Sequence, residues 1–185
     1  MDRRIIAQIG IAAGIAWACA ACAQEAGKPY ELATGWTLVK EGEAQGAIEQ
    51  DAKHPGSESE HLLRIQAAKT AGPGKGRVGA SNSTPIAVRE GQWYDATFSA
   101  VTERGSIGLV FSLEGNNGKV LARTTLPEIG RGRGPRGGAQ QPASFAKYSV
   151  ALHVRGSDEK AHLVITPIEA TNVWIEGLRV TQRGK

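Results

Sequence analysis

The chain has little cysteine: two residues, Cys19 and Cys22, both within the first 23 positions. If that segment is removed, the remaining domain has no disulfide and no thiolate chemistry. Aromatic residues are scarce too, at 5% of the chain, which limits any surface built from stacked rings. After the N-terminal segment no stretch keeps apolar residues at i, i+3, i+4 and i+7 for three turns, so long amphipathic helices are not expected. G-x-S-x-G, H-E-x-x-H and phosphate-loop patterns are absent. No motif argues for an enzyme.

Charge of one sign is also in short supply. The net charge is +4, and removing Asp2, Arg3 and Arg4 with the N-terminal segment lowers it to +3. Much of that excess sits in one stretch, so composition does not suggest a nucleic-acid partner.

The N-terminus carries the clearest address. Arg3 and Arg4 precede an apolar run from Ile5 to Ala21, interrupted by Gln8, and Ala21-Cys22-Ala23 fits an A-x-A cleavage site. Residues 1–23 read as a signal peptide, which implies an exported protein that is periplasmic, secreted or on the outer surface. A lipoprotein alternative stays open. Ala20-Ala21-Cys22 places small residues before a cysteine, although Cys19 stands where a leucine is expected. Acylation of Cys22 would be the one route to a membrane.

Glycine is abundant, at 24 residues, as short strands joined by tight turns require. Residues 24–34 read as a polar linker. From Gly35 the alternation predicts eleven strands: 36–40, 46–51, 61–67, 77–81, 85–88, 92–101, 106–114, 119–126, 145–154, 161–166 and 172–181. Asn116-Asn117-Gly118 predicts a hairpin turn, because asparagine and glycine accept positive φ. One all-β domain over 35–182, a sandwich or barrel, follows. Its apolar rows include Tyr94, Ala96, Phe98 and Ala100, then Ile107, Leu109, Phe111 and Leu113, then Tyr148, Val150 and Leu152. Residues 127–144, PEIGRGRGPRGGAQQPAS, hold glycine, proline and arginine and read as a mobile surface loop without a stacking ring.

These patterns resemble a known fold family. His54-Pro55-Gly56-Ser57 followed by Leu62-Leu63-Arg64-Ile65 resembles the opening "hsG-x-S-x-x-L-x-v" of galactose-binding-like jelly rolls. The run from Glu90 to Ala100 resembles their "pG-x-x-Y-x-f-s-f-x-a" strand, and 145–150 resembles "W-x-x-y-s-v". The segment 172–180 resembles the closing "v-x-i-D-x-v-x-l". The similarity is to carbohydrate-binding modules of families four and nine and to accessory domains of arabinofuranosidases. It implies an all-β jelly-roll sandwich and a non-catalytic module recognising a polysaccharide or oligosaccharide. Two alternatives stand beside it: a structural or protein-interaction sandwich without a sugar site, and an accessory domain of a glycoside hydrolase.

The outward residues of the strand at 92–101 are Trp93, Asp95, Thr97 and Ser99. If neighbouring strands pair with it as expected, Glu114, Arg123, Lys147 and His153 join the same polar face. The candidate glycan site is therefore Trp93, Asp95, Thr97, Glu114, Arg123, Lys147 and His153, with Trp93 as the stacking platform. Trp36 reads as a core lid, and Trp174 is left open between the outer face and an end of the sandwich. The resemblance also implies a structural calcium, with Glu176 in place of the usual aspartate and Gly56 and Glu58, or Glu60, adding oxygens. His153 and His162 would face each other if 150–154 and 161–165 formed a hairpin. Chain reversal between sheets would part them.

Overall fold

A computed structural model describes residues 27–69, 76–103, 105–130 and 144–184. The segment 1–23 expected to be a signal peptide, with the expected cleavage and lipidation positions at Ala23 and Cys22, lies outside the described residues, as does most of the Gly/Arg-rich segment 127–144.

Among the described residues twelve strands form: β1 Tyr30–Glu31, β2 Trp36–Lys40, β3 Gln45–Glu49, β4 Leu62–Lys69, β5 Val78–Asn82, β6 Ile86–Val88, β7 Trp93–Thr102, β8 Ile107–Glu114, β9 Val120–Ile129, β10 Ala146–His153, β11 Asp158–Pro167 and β12 Thr171–Gln182. All pairings are antiparallel. The first sheet has the order β10-β7-β12-β4-β3, with β1 also on β12. The second has the order β2-β5-β11-β8-β9, with β6 also on β11. The eleven expected strands are present with ends moved by a few residues. β1 was not foreseen, because two residues carry no alternation.

The region read as a linker is partly structured. Tyr30 and Glu31 pair with Val180 and Arg179, and Leu32 is buried in the core. The loop expected from Pro127 starts later, since β9 runs on to Ile129. A proline is tolerated there because β9 is an edge strand. The predicted turn at 116–118 closes the β8–β9 hairpin, with Gly118 at φ 77° and its N–H donating to Gly115 O at 2.8 Å.

The inner faces of the two sheets meet in one apolar core. Tyr94, Ala96, Phe98 and Ala100 of β7 oppose Ile107, Leu109, Phe111 and Leu113 of β8 from the other layer. Phe98 and Phe111 lie 4.9 Å apart between ring centroids. Consecutive strands β7 and β8 thus belong to different sheets, and the short connection between them crosses from one layer to the other. Each fully buried large side chain contributes about 1.5–3 kcal/mol. Polar tips inside the core find partners: Tyr94 Oη donates to Ala87 O at 3.1 Å and Trp36 Nε1 to Leu32 O at 3.2 Å. Trp36 is thus a core lid.

One irregularity matters for the surface. β12 pairs Glu176 with Ser99 and Arg179 with Thr97, so three steps on β12 match two on β7. The extra residue lies at a bulge containing Gly177, whose φ is 60°. It resets the alternation so that Leu178 and Val180 stay inside while Arg179 faces out. Replacing Phe111 with alanine is expected to cost about 3–5 kcal/mol in urea denaturation, through lost burial and a residual cavity. A loss below about 1 kcal/mol would mean that Phe111 is not at the sheet interface.

Candidate functional site

Alternation sends Trp93, Asp95, Thr97 and Ser99 of β7 to the outer face of the first sheet. On one side, β10 sets Lys147 opposite Ser99, Ser149 opposite Thr97, Ala151 opposite Asp95 and His153 opposite Trp93. On the other side, β12 sets Arg179 opposite Thr97 and Thr181 opposite Asp95. A groove of about 440 Å³ opens on this face, lined by Thr97, Ser99, Lys147, Ser149, Gly177 and Arg179 among others.

One end of the face is a built aromatic cluster. Trp93 is 44% exposed. Its ring lies 4.7 Å from that of His153, tilted by 33°, and the Arg183 guanidinium sits 5.6 Å from its centroid. Asp95 fixes that guanidinium with two hydrogen bonds of 2.6 Å, from Nε and Nη2. The bidentate geometry restricts the arginine and so defines the space beside the indole. Arg183 and Thr181 were not among the sequence candidates. They are on the face because β12 reaches past Arg179, a pairing that alternation within one strand does not reveal.

The other end is covered. Trp174 also faces outward, yet it is 8% exposed and clusters with Ala52, Leu62 and Val101, with Phe145 packed alongside. The loop after β3 closes over it. His54 contacts Trp174 at 4.9 Å and Phe145 edge-on at 5.3 Å between centroids. Burial lowers the His54 pKa, and the nearby Glu176 carboxylate only partly opposes that shift. Arg64 sits 5.3 Å over the indole. Trp174 therefore braces the outer face and offers no open stacking surface.

Two expected site residues lie elsewhere. Glu114 and Arg123 belong to β8 and β9 of the second sheet, because β8 crosses away from β7. Glu114 instead accepts from Arg77 Nη1 at 2.6 Å and Nη2 at 3.1 Å, and from Ser112 Oγ at 2.8 Å. Arg77 also bridges to Glu41 at 2.8 Å. Burial opposes ionisation of Glu114. The hydrogen bonds from Arg77 and Ser112 and the attraction of Arg77 and Arg123 outweigh it, and the carboxyl titrates below its ordinary range.

His153 and His162 are parted as well. His153 is on β10 of the first sheet and His162 on β11 of the second. His162 Nδ1 lies 3.1 Å from Asn82 O.

Of the residues expected to hold calcium, Glu176 and Gly56 have protein partners in the loop after β3. Glu176 is engaged by a hydrogen bond from Ser57 Oγ. Glu58 is exposed in the loop, and Gly56 N donates to His54 Nδ1 at 3.1 Å. Among the described residues no three His, Cys, Asp or Glu side chains gather, whereas Ca²⁺ takes six to eight oxygens.

No protein-family model matches the chain, and no curated protein is detectably similar to it in sequence. Solved structures share its shape. An arabinose-bound GH51 α-L-arabinofuranosidase matches with TM-score 0.57 at 18% identity, over 80% of this chain and 23% of that one. The chain thus spans less than a quarter of that enzyme. A family 4 carbohydrate-binding module matches with TM-score 0.51 at 10% identity, over 80% of this chain and 86% of the module. The CBM22-1–GH10 modules of a Clostridium thermocellum xylanase 10B, complexed with xylohexaose, match with TM-score 0.50 at 12% identity, over 84% of this chain and 27% of that one.

Two outcomes follow from this placement. Glu114→Gln should lose about 1–3 kcal/mol at pH 7, less than a fully buried pair because Arg77 is partly solvated. Folding favours the ionised Glu114, so its contribution is complete above the ordinary carboxyl range and is lost as pH falls through the lowered folded value. The wild-type advantage over the variant should therefore shrink in acid, as read by denaturation at several pH values. An advantage that grows in acid would contradict the assignment. Separately, an ordered calcium ion would make a chelator lower the melting midpoint of the purified protein, and a midpoint indifferent to chelator would argue against the ion. The chain has the jelly-roll sandwich fold of carbohydrate-binding modules.

Proposed function

We propose that the protein is an exported, non-catalytic carbohydrate-binding module, and that its glycan lies on the outer face of the first sheet. The observation that carries this reading is the half-exposed Trp93, held between His153 and an Asp95-fixed Arg183 on the same sheet face as a polar groove. One ring of a glycan chain can stack its C–H face on the indole, while hydroxyls of units farther along the chain, about 13–20 Å away at the strand rise, meet Thr97, Ser99 and Ser149. The fold of the family 4 module supports the class of function without naming a ligand. Export rests on the segment 1–23, ended either by cleavage after Ala23 or by acylation of Cys22. The match to part of a longer arabinofuranosidase gives some weight to a role beside a glycoside hydrolase.

Affinity electrophoresis against xylan, mixed-linkage β-glucan, arabinan and polygalacturonate tests the reading. At least one polymer should retard the protein, and Trp93→Ala should abolish the retardation. That variant should cost about 1 kcal/mol of folding stability and stay folded, since the ring is half-exposed and packs on His153. Unchanged migration in every gel would remove the glycan hypothesis.

A further inference from the structure

The groove farther along the face that carries Trp93 has a chemical bias. The charged residues lining it are both cations, Lys147 and Arg179, and none of its lining residues is acidic. Two of the carboxylates nearby are neutralised by arginines: Asp95 by Arg183 and Glu31 by Arg179 Nε at 2.9 Å. Glu176, outside the lining, accepts from the neutral Ser57 hydroxyl. Lys147 is exposed and has no ion-pair partner among the described residues. The Arg179–Glu31 bond uses Nε, which leaves the Nη groups to donate.

The two cations flank β7 from opposite sides. Lys147 pairs with Ser99 and Arg179 with Thr97. Two strand spacings across and two residues along place their Cα atoms about 12 Å apart. Long side chains from both can converge on the groove between them. The floor adds the hydroxyls of Thr97, Ser99 and Ser149. A neutral glycan presents hydroxyls, which need acceptors as much as donors. Here the strongest groups only donate, and a carboxylate is what they would pair with.

We infer that the groove takes a carboxylate-bearing glycan, a polyuronate, with its acid groups between Lys147 and Arg179 and a sugar ring on Trp93. This inference rests on the glycan-binding reading and specifies its ligand class. Lys147 supplies a point charge, and Arg179 supplies a planar fork whose free Nη groups match a carboxylate.

The test uses the purified protein and polygalacturonate, with neutral xylan and β-glucan as comparison and dextran sulfate as a control for indiscriminate charge attraction. Polygalacturonate should be bound most tightly, and the binding should weaken as salt rises. Lys147→Ala should weaken it about tenfold, the scale of one charge-assisted hydrogen bond. Arg179→Gln should do the same, with an unchanged melting midpoint in both variants showing that the fold is intact. Binding to xylan or β-glucan alone overturns the polyuronate assignment while leaving glycan binding in place. Binding to none of the polymers brings down both. Polygalacturonate binding that survives both substitutions and merely matches dextran sulfate overturns the groove as the site.

Discussion

Burial of alternate apolar side chains between two pleated layers is the constraint on which everything else in this molecule depends. The described residues include no cysteine, so no disulfide ties the sheets there. The core from Leu32 to Val180 must hold the sheets together by exclusion of water and close packing. Because side chains in a strand alternate strictly, committing Tyr94, Phe98 and Ala100 to the interior also commits Trp93, Asp95, Thr97 and Ser99 to the exterior. The recognition surface is the obverse of the core. The bulge at Gly177 shows how tightly the two are linked: if the strand ran through these residues with plain alternation and no bulge, Leu178 and Val180 would turn outward and Arg179 would turn into the core.

The outer surfaces of the two sheets have different characters. On the second sheet, the Arg77–Glu114–Ser112 network ties strands that are not adjacent in sequence and uses its charges up internally. On the first sheet, the loop after β3 folds over Trp174, and His54 and Phe145 complete the cover. That leaves one stretch of the first sheet open, from Trp93 to Lys147. Its ion pairs fix Arg183 and anchor Arg179 without covering the groove between them. An aromatic platform next to donor-rich, unobstructed backbone strands is a surface suited to an extended polar ligand.

Much of this was legible in the residues. Alternation located nearly all of the strands and put Trp93, Asp95 and Thr97 on one face. Turn chemistry located the hairpin at Asn116-Asn117-Gly118. What alternation cannot say is which sheet a strand joins. β7 and β8 have the same texture and follow one another closely, so Glu114 and Arg123 looked like neighbours of Trp93. The chain crosses between layers after Thr102, and they are not. The same ambiguity covered His153 and His162, which a hairpin would have paired. The fate of Trp174 was equally hidden, because a loop some 120 residues earlier in the sequence covers it. Arg183 was missed because its role comes from a cross-strand neighbour, Asp95, and from the length of β12.

Amide chemical-shift mapping during titration with a bound oligosaccharide tests the account most directly. The account places the largest perturbations at residues 93–99, 147–153 and 179–183, on the three strands that share the open face. Perturbations gathered instead on residues 108–125, across the outer face of the second sheet, would contradict it.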